Sequence, residues 1–518
     1  MAQPELVEHL LRPEAYPHPC RAVRLVETHI SWVFLTGDYA YKVKKPVLFS
    51  FVDFSTARLR KHYCEEELRC NRAFSPELYL DVVEIVRDVE GRIRVGGTGE
   101  VVEHAVKMRQ FPQSSALDRL LVAGVLEPGG LSRFGLELAT LHAGLPRLEA
   151  PDDELDRRIL GPVLDNFATL RATRAGGDRS DILQRLESAS KDAFDGKRTT
   201  FSRRLAKGFV RECHGDLHLR NLVMIDGRVR AFDCLEFNPD LRWIDIASDA
   251  AFLIMDCAVR DRVDLAYAFQ DGYLAGCGDY VGATLSPFYQ AYRSVVRAKV
   301  AALEIEGSSK DGKLGAARER LDRQLNWAWE RLHGPRGRMV LMCGLSGSGK
   351  SYVAERLVPR LPAVRIRSDV LRKVAAGLEP LQRSGSSVDA GLYTPSRSQS
   401  VYAEMQAIAL ALAAAGETVI VDATFLERAA RKAFRGAAAA AGVPCVVLHC
   451  QASEPTMRLR VAAREREGRD ASEAGIAVLE AQQSRFEPPT ADEETVVVDT
   501  ETTAVMAQIE GALRAAFA

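Results

Sequence analysis

The sequence predicts two folding patterns in succession: a mixed α+β region over residues 1–333 and an α/β region with a parallel sheet over residues 336–518. Short β-prone runs and one charged amphipathic helix occupy residues 23–110, and helical periodicity then dominates to about residue 333. The cluster His-Gly-Pro-Arg-Gly-Arg at residues 333–338 interrupts the helices. After it, apolar runs alternate with helices, which is typical of a parallel sheet.

The first region divides into a small mixed lobe, residues 1–112, and a helical lobe, residues 113–333. The small lobe is predicted to contain a helix over residues 56–74 and strands over residues 30–35, 39–43, 82–86 and 101–108. The helical lobe carries a predicted hairpin whose arms, residues 221–225 and 229–232, flank Asp226-Gly227. The second region is predicted to contain strands over residues 339–343, 363–366, 418–421, 445–449 and 496–498.

The composition is that of a globular protein, because 47% of the residues are hydrophobic and 27% are charged. The formal net charge of −1 argues against recruitment of the whole chain to nucleic acid or to an anionic membrane. No apolar run approaches the roughly 18 residues of a membrane span, and residues 1–9 lack the features of a signal peptide. The ten cysteines form no C-x-x-C pair, so we expect a reducing, cytoplasmic compartment.

A glycine-rich loop follows the first predicted strand of the second region. Residues 344–351 read Gly-Leu-Ser-Gly-Ser-Gly-Lys-Ser and match the pattern G-x-x-x-x-G-K-S in full. Glycines let successive backbone N–H groups wrap a phosphate chain, and the following helix adds its positive N-terminal end. Lys350, a catalytic candidate, would reach the β- and γ-phosphates, and the Ser351 hydroxyl would hold Mg²⁺. The residues predicted to bind Mg-ATP are Gly344, Ser346, Gly347, Ser348, Gly349, Lys350 and Ser351.

Two carboxylates follow strands of the same region. Asp422 closes one apolar run and is predicted to orient Mg²⁺, with a strand-ending turn aspartate as the alternative. Asp369 follows another run and could accept the proton of an attacking hydroxyl; the alternative is an N-cap for a helix starting at Val370. Arg372 could neutralise the phosphate charge of a substrate.

Arginines are concentrated on one predicted helix near the end of the chain. Arg460 and Arg464 are four residues apart and therefore share a helix face. Such a segment is typical of a basic lid that closes over a phosphoryl group, and Arg464 is its predicted catalytic member. A solvated basic helix is the alternative. The full set is Arg458, Arg460, Arg464, Arg466 and Arg469.

Residues 344–351, Asp369, Asp422 and the arginine segment resemble the small P-loop kinases grouped around gluconate kinase, shikimate kinase and the polynucleotide 5′-kinases. The resemblance covers about 180 residues and implies transfer of a phosphoryl group from ATP to a hydroxyl. Ser368-Asp369-x-x-Arg372 is close to the D-x-x-R arrangement of the polynucleotide kinases. Nucleic acid therefore stays open as an acceptor, although the net charge does not favour it.

A second constellation lies in the first region, where residues 214–221 read His-Gly-Asp-Leu-His-Leu-Arg-Asn. Phosphoryl transfer needs a carboxylate near the acceptor hydroxyl and ligands for the Mg²⁺ that binds the phosphates. Asp216 can supply the first, and Asn221 and Asp233 can supply the second. The predicted hairpin brings Asn221 and Asp233 side by side because its two arms pair.

This segment resembles the catalytic loop of the aminoglycoside phosphotransferase and choline kinase superfamily, whose pattern is H-G-D-x-H-x-x-N followed by a metal-binding aspartate. The resemblance covers roughly residues 20–330 and implies a protein-kinase-like fold. Carried over residue by residue, it makes Asp216 the catalytic base, and Asn221 and Asp233 the Mg²⁺ ligands.

The same resemblance assigns nucleotide contacts in the small lobe. It implies that Lys42 is the phosphate-binding lysine, with Lys44 on the same strand face as the second choice, and that Glu67 is the helix partner. Met108 would begin the hinge that meets adenine, which ends at Phe111. The sequence departs from the family pattern because no glycine-rich nucleotide loop is evident between residues 28 and 35.

Two further groups of charged residues occur in the helical lobe. Arg293 and Arg297 share a helix face, where an anionic substrate could dock; a solvated helix face is the alternative. The acids of residues 243–249 follow the metal-binding aspartate and are predicted to brace the catalytic loop rather than to touch substrate.

Together these features predict an α+β protein-kinase-like bilobal domain followed by an α/β P-loop NTPase domain with a parallel sheet. The favoured hypothesis is a bifunctional phosphotransferase that uses ATP and Mg²⁺ and acts on hydroxyl groups of a small molecule, such as a sugar or a related metabolite. One alternative is a polynucleotide 5′-hydroxyl kinase that uses the second domain. The other is a pseudokinase sensor fused to an ATP switch.

Overall fold

The computed structural model describes residues 3–49, 52–149, 154–307, 311–384, 392, 394–467, 471–502 and 505–517. The chain forms two compact units. The first unit comprises Met1–Leu126, Gly144–Arg158 and Phe201–Asp249, and the second comprises Glu127–Ala143, Ile159–Thr200 and Ala250–Ala518. Among the residues described, no helix combines the length and the apolar character needed to cross a membrane.

The helices and strands are given in chain order. Up to residue 206 they are α1 (Gln3–Leu10), β1 (Arg24–Glu27), β2 (Ser31–Leu35), β3 (Tyr39–Lys44), β4 (Leu48–Phe49), β5 (Val52–Asp53), α2 (Ala57–Phe74), β6 (Tyr79–Arg87), β7 (Ile93–Val95), β8 (Glu100–Arg109), α3 (Leu117–Val122), α4 (Pro128–Gly144), α5 (Gly161–Ala172), α6 (Arg174–Gly177), α7 (Ser180–Asp195) and α8 (Arg198–Ala206). Up to residue 333 they are β9 (Val210–Glu212), β10 (Leu222–Ile225), β11 (Arg228–Ala231), β12 (Trp243–Asp245), α9 (Ile246–Ala258), α10 (Val263–Cys277), α11 (Tyr280–Ala283), α12 (Ser286–Glu306) and α13 (Asp311–His333). The remainder are β13 (Met339–Cys343), α14 (Lys350–Leu357), β14 (Ala363–Arg367), α15 (Ser368–Ala375), α16 (Pro395–Ala414), β15 (Thr418–Asp422), α17 (Arg428–Ala440), β16 (Cys445–Gln451), α18 (Glu454–Glu467), α19 (Ile476–Arg485), β17 (Thr495–Asp499) and α20 (Val505–Ala516).

The first unit is built on a six-stranded antiparallel sheet in the order β1-β2-β3-β8-β6-β7. Helix α2 begins after Thr56, whose hydroxyl oxygen accepts a hydrogen bond from the Leu59 N–H at 3.3 Å, and packs on β6 and β8. Its buried residues recur at helical spacing and include Cys64, Glu67 and Asn71. The sheet and this helix therefore fix Glu67 in the interior of the unit.

The hairpin β10-β11 directly follows residues 214–221, the segment that resembles a kinase catalytic loop. Leu222 pairs with Ala231, and the Phe232 N–H donates to the Asn221 carbonyl at 2.9 Å. The hairpin turn contains Asp226 and Gly227, both at positive φ, as the Asp-Gly signal predicts. Asn221 and Asp233 therefore flank the open end of the hairpin, as predicted from the sequence.

The second unit contains a five-stranded parallel sheet in the order β14-β15-β13-β16-β17. Side chains of β13 alternate between two apolar clusters, with Leu341 in one and Val340 in the other, so both faces of the sheet are buried. Helices α15, α16 and α17 contribute to the cluster of Leu341, and α14 and α20 contribute to that of Val340. Leu274 and Tyr280, from the chain that precedes residue 335, also belong to the cluster of Leu341.

The predicted fold class is confirmed, and all five predicted strands of the second domain are present as β13–β17. The short strands β1, β4, β5, β7, β9 and β12 have no counterpart among the predicted strands, because runs of two to four residues carry too little periodicity. The compact units group the chain differently from the predicted lobes and domains, whose boundaries at residues 112–113 and 333–336 stay predictions.

Candidate active sites

The glycine-rich loop connects the buried end of β13 to α14. Gly344 and Gly347 have φ values of 139° and 82°, which L side chains rarely adopt. A Cβ atom on Gly344 would lie 2.4 Å from the Cys450 carbonyl oxygen, and one on Gly347 would lie 2.5 Å from that of Met457. Gly349 precedes the first turn of α14 and also has a positive φ, of 88°. The loop therefore holds a conformation that only this glycine pattern allows.

Lys350 and Ser351 begin α14 beneath this loop. The Lys350 Nζ donates to the Leu345 carbonyl at 2.7 Å, and burial lowers the pKa of this lysine. The Ser351 hydroxyl donates to Asp422 Oδ1 at 3.1 Å, although the two residues are 71 positions apart. Asp422 is the last residue of β15 and is only 5% exposed.

Two buried oxygens in this centre lack hydrogen-bond partners among the described residues: Asp422 Oδ2 and the Ser348 hydroxyl oxygen. A buried oxygen without a partner costs free energy unless a ligand satisfies it. Carboxylate and hydroxyl oxygens are the ligands that Mg²⁺ prefers, and the loop N–H groups suit phosphate. The residues present therefore fit Mg-ATP, with Ser351 and Asp422 at the metal and the loop at the phosphates.

Asp369 and Arg372 lie on the neighbouring helix α15. Asp369 is half-buried in the first turn, after the N-cap residue Arg367, so the N-cap alternative for Asp369 is wrong and its role as a base stays a prediction. Arg372 is 8% exposed and donates from Nη1 to the Leu392 carbonyl and to the Ser398 hydroxyl, both at 3.0 Å. These bonds fix Arg372 against its own domain, and its contact with substrate stays a prediction.

The predicted lid arginines have different surroundings. Arg460 donates to the Gly347 carbonyl at 3.3 Å and to the Thr500 hydroxyl at 2.8 Å, so it contacts the phosphate loop itself. Arg464 donates to the Ala474 carbonyl at 2.8 Å, and its charge adds to burial in lowering the pKa of Lys350. The solvated-helix alternative is therefore wrong for Arg460 and Arg464. Arg458 pairs with Glu454 and Glu480, Arg466 is exposed, and Arg469 lies outside the described residues.

In the first unit, the strand β3 carries both candidate lysines. Lys42 Nζ lies 2.8 Å from Glu67 Oε1 and 2.6 Å from Asp233 Oδ1. Lys44 Nζ lies 2.7 Å from Glu67 Oε2 and also pairs with Glu236, and its side chain is fully buried. Lys42 is the lysine that reaches the predicted metal ligand, which supports the first choice over the second.

Asp216 lies beside the metal-ligand candidates of the catalytic loop. Asn221 Nδ2 donates to Asp216 Oδ2 at 2.8 Å, and His218 Nε2 lies 3.4 Å from the same oxygen. Asp233 has a φ of 60°, an uncommon value for a residue other than glycine, and its side chain is 47% exposed. Such local strain is frequent at functional sites. The partly exposed carboxylate of Asp233 and the Asn221 amide oxygen fit a Mg²⁺ site, with the partly exposed carboxylate of Asp216 beside them.

Asp249 is hydrogen-bonded to the backbone at the start of the segment of residues 214–221. Its two carboxylate oxygens accept hydrogen bonds from the His214 N–H at 3.1 Å and the Gly215 N–H at 2.9 Å. Asp245 instead forms a buried two-bond pair with Arg204, both bonds being 2.7 Å long. The prediction that the acids of residues 243–249 brace the loop is therefore confirmed for Asp249.

The predicted adenine hinge, Met108 to Phe111, and the turn between β1 and β2, where the family pattern places a nucleotide loop, also lie in the first unit. Met108 lies in β8 opposite Ala40. It packs against the same apolar cluster as Phe111, whose ring centroid is 5.1 Å from that of Phe232. The connection between β1 and β2 is a short turn over residues 28–30 without glycine, as the sequence shows.

The predicted anion-binding arginines lie on α12. Arg293 is 4% exposed, with its guanidinium 4.9 Å from the Phe252 ring centroid, so the solvated-face alternative is wrong for it. Arg297 is half-buried on the same helix, and substrate binding by both arginines stays a prediction.

Sequence reasoning missed three buried charged residues near these centres. Glu236 pairs with Lys44, and Arg365 is held between Asp271 and Asp422. Arg365 interrupts the apolar strand Ala-Val-Arg-Ile-Arg, whereas Asp271 lies in α10 and Glu236 in the loop after β11. A charge within an otherwise buried strand is the signal that could have indicated Arg365, because such a charge requires a partner.

Comparison with known proteins gives matches along both halves of the chain. Residues 339–489 match the family model AAA_33, described as an AAA domain. A gluconokinase from Sinorhizobium meliloti is 24% identical, with 35% of this chain and 95% of that chain covered and a TM-score of 0.26. A choline/ethanolamine kinase family protein from Mesorhizobium loti is 13% identical, with 62% of this chain and 97% of that chain covered and a TM-score of 0.36.

Longer matches come from mycobacteria. The chain is 31% identical over 465 residues to the uncharacterized protein Rv2004c of Mycobacterium tuberculosis, with 89% of this chain and 90% of that protein covered. The uncharacterized protein Mb2027c of Mycobacterium bovis matches with the same values. Because these matches run through nearly the whole of both sequences, the chain belongs to the protein family of Rv2004c and Mb2027c.

Proposed function

We propose that this protein is an ATP-dependent phosphotransferase with two phosphoryl-transfer centres, each acting on a hydroxyl group of a small molecule. One observation supports the proposal: in each unit a candidate phosphate-binding element is bonded to a candidate metal-binding acid from a distant part of the chain. In the first unit the pair is Lys42 and Asp233, 191 positions apart. In the second unit the pair is Ser351 and Asp422, 71 positions apart. A phosphate-binding element and an acid that can hold Mg²⁺ are the two groups that Mg-ATP binding requires.

In the second centre, the loop N–H groups bind the phosphates of ATP. Lys350 exchanges its bond to the Leu345 carbonyl for a phosphate oxygen, whose negative charge offsets the burial that lowers the pKa of this lysine. Ser351 and Asp422 would hold Mg²⁺, and its positive charge would neutralise phosphate charge. Asp369 accepts the proton of the acceptor hydroxyl, and Arg464 stabilises the negative charge that develops on the phosphoryl group.

In the first centre, Asp216 is the base for the acceptor hydroxyl. Its Oδ2 accepts from the Asn221 amide at 2.8 Å, which orients the carboxylate. Lys42 binds ATP phosphate and keeps Glu67 as its partner, while its bond to Asp233 opens. Asp233 and Asn221 are then the ligands for Mg²⁺. Because the two centres share no residues, a substitution in one centre should abolish phosphoryl transfer there and leave the other centre active.

The test is an acceptor screen with the full-length protein, reading ADP release. The panel contains sugars, sugar acids and amino alcohols, together with DNA and RNA oligomers that carry a 5′-hydroxyl. We expect small-molecule acceptors to support release, with Asp216→Asn and Lys350→Met each lowering turnover at its own centre by about a hundredfold or more. Asp226→Asn, a matched change at an exposed turn of the same hairpin, should retain full turnover.

Other outcomes decide between the alternatives. Transfer to oligomers alone, lost in Lys350→Met, would replace the proposal with a polynucleotide kinase. Nucleotide binding by the first unit without turnover on any acceptor would favour the sensor alternative. Acceptor-dependent ADP release that survives both Asp216→Asn and Lys350→Met would contradict the proposal outright.

A further inference from the structure

Arg365 occupies an unusual place for a charged residue. It lies in β14, its side chain is 5% exposed, and its guanidinium reaches two carboxylates. Nε and Nη2 donate to the two oxygens of Asp271, both at 2.9 Å. Nη1 donates to the Ser351 carbonyl at 3.3 Å and lies 3.8 Å from Asp422 Oδ2. One buried guanidinium therefore contacts both residues proposed to hold Mg²⁺.

Asp271 comes from outside the P-loop domain predicted over residues 336–518. It lies on α10, which packs on β14 within the second unit. The Arg367 N–H donates to the Tyr280 hydroxyl at 3.0 Å. Gly278, at a φ of 64°, lets the end of α10 approach α15 so closely that a Cβ atom would lie 2.6 Å from Val374 Cγ2. These contacts fix Asp271 relative to the sheet.

The two acids compete for the same guanidinium. Paired, nearly linear bonds between a guanidinium and one carboxylate are strong and set its orientation. Because Asp271 takes two donors, Arg365 approaches Asp422 only to 3.8 Å, and Oδ2 of Asp422 makes no hydrogen bond with the described residues. Without Asp271, Asp422 would be the nearest carboxylate to a buried positive charge. A direct pair between Arg365 and Asp422 would then occupy the oxygen proposed for Mg²⁺.

We propose that Asp271 is a positioning residue for the P-loop centre: it holds Arg365 away from Asp422 and so keeps the Asp422 carboxylate available to Mg²⁺. This inference rests on the proposed function, since it concerns the same nucleotide site. It also means that the P-loop centre is not contained in residues 336–518, because a helix from the preceding region supplies part of its electrostatics.

The test measures binding of a fluorescent ADP analogue to full-length protein, with Mg²⁺ and with EDTA. All variants carry Lys42→Met, so that the first unit does not contribute. In Asp271→Asn we expect the gain in affinity from Mg²⁺ to fall about tenfold, while affinity in EDTA changes by less than about twofold. Glu493→Gln is the matched control, since Glu493 also forms a buried two-bond pair, with Arg431, at 2.7 and 2.9 Å.

A second variant keeps the test decisive if Asp271→Asn does not fold. Arg367 Nε lies 4.0 Å from Asp422 Oδ2 and is unchanged in every variant. Arg365→Gln removes the guanidinium that Asp271 holds, so it should retain the gain from Mg²⁺, and adding it to Asp271→Asn should restore that gain. The inference is overturned if Asp271→Asn behaves like Glu493→Gln, if it weakens binding equally with and without Mg²⁺, or if Arg365→Gln abolishes the gain. Absence of Mg²⁺-enhanced binding in the reference protein would instead reject the proposed P-loop centre, and the inference with it.

Discussion

The ammonium group of Lys42 lies 2.6 Å from the carboxylate of Asp233, and this bond joins strand β3 to the end of the hairpin that follows the catalytic loop. Lys42 also contacts Glu67 of α2, so one side chain links three separate segments of the first unit. Under the proposed function, nucleotide binding would replace the bond to Asp233, because phosphate and Mg²⁺ would take over the two charges.

Lys42 and Lys44 should therefore respond differently to the same substitution. Lys42→Met should abolish nucleotide binding by the first unit with a modest loss of stability, since Lys44 remains to neutralise Glu67. Lys44→Met leaves the buried carboxylates of Glu67 and Glu236 with one fewer cation, which costs about 3–5 kcal/mol. Thermal unfolding and titration with Mg-AMPPNP separate the two effects. Equal losses of stability in both variants would contradict the assignment.

Close packing around the glycine-rich loop should make it sensitive to an added methyl group. Gly347→Ala places a Cβ atom 2.5 Å from the Met457 carbonyl oxygen, so the loop must shift and nucleotide affinity at the second centre should fall at least about tenfold. Gly436→Ala in α17 meets nothing within 4 Å and should stabilise the protein by up to about 1 kcal/mol. ADP titration compares nucleotide affinity in the two variants. Unchanged affinity in Gly347→Ala would contradict the assignment of the glycine-rich loop as the phosphate-binding element.

The buried acid of the first unit predicts a dependence of stability on pH. Burial raises the pKa of Glu67, but the charges of Lys42 and Lys44 outweigh it and hold this pKa at about 2, against 4.5 for the free group. As pH falls below about 4.5, the unfolded chain binds the proton first, so Glu67 stabilises the fold less as pH approaches 2.

Urea unfolding, followed by tryptophan fluorescence across this pH range, measures that contribution. The free energy of unfolding of the unmodified protein should fall more steeply with acid than that of Glu67→Gln, by up to about 1.4 kcal/mol per pH unit. Parallel slopes for the two proteins would show that the pKa of Glu67 is not depressed.

Asp249 offers a test of how the catalytic loop is held. Asp249→Ala leaves the buried N–H groups of His214 and Gly215 without these carboxylate acceptors, at a cost of about 1–3 kcal/mol each. We expect kcat of the first centre to fall, with little change in its KM for ATP and none in nucleotide binding by the second centre. Asp245→Asn, which disturbs the neighbouring Arg204 pair, should destabilise the protein but spare kcat. The reverse pattern would contradict the bracing role.

Features of the two sites that depend on neighbouring residues could be predicted from the sequence. The loop at residues 344–351, the hairpin at Asp226-Gly227 and the positions of Asp216 and Asp422 each follow from adjacent residues or from a strand end. Asn221 and Asp233 were also brought together correctly, because a hairpin pairs its own arms. In these cases the deciding interaction lies within a few residues of the motif.

Contacts between distant segments could not be predicted in the same way. Asp271 and Arg365 are 94 positions apart, and no local pattern pairs a helix acid with a strand arginine. Lys42 and Lys44 point to the same strand face, so only the position of Asp233 distinguishes them. Likewise, Arg293 has the spacing of an exposed helix stripe, yet it is buried against Phe252 because tertiary packing covers that face.

The central claim, two nucleotide-binding phosphoryl-transfer centres in one chain, is tested most directly by binding stoichiometry. Isothermal titration of the full-length protein with Mg-AMPPNP needs no knowledge of the acceptor. We predict two sites per chain, reduced to one in Lys42→Met and to one in Lys350→Met, with none in the double variant. A single site per chain, or two sites that survive either substitution, would contradict the claim.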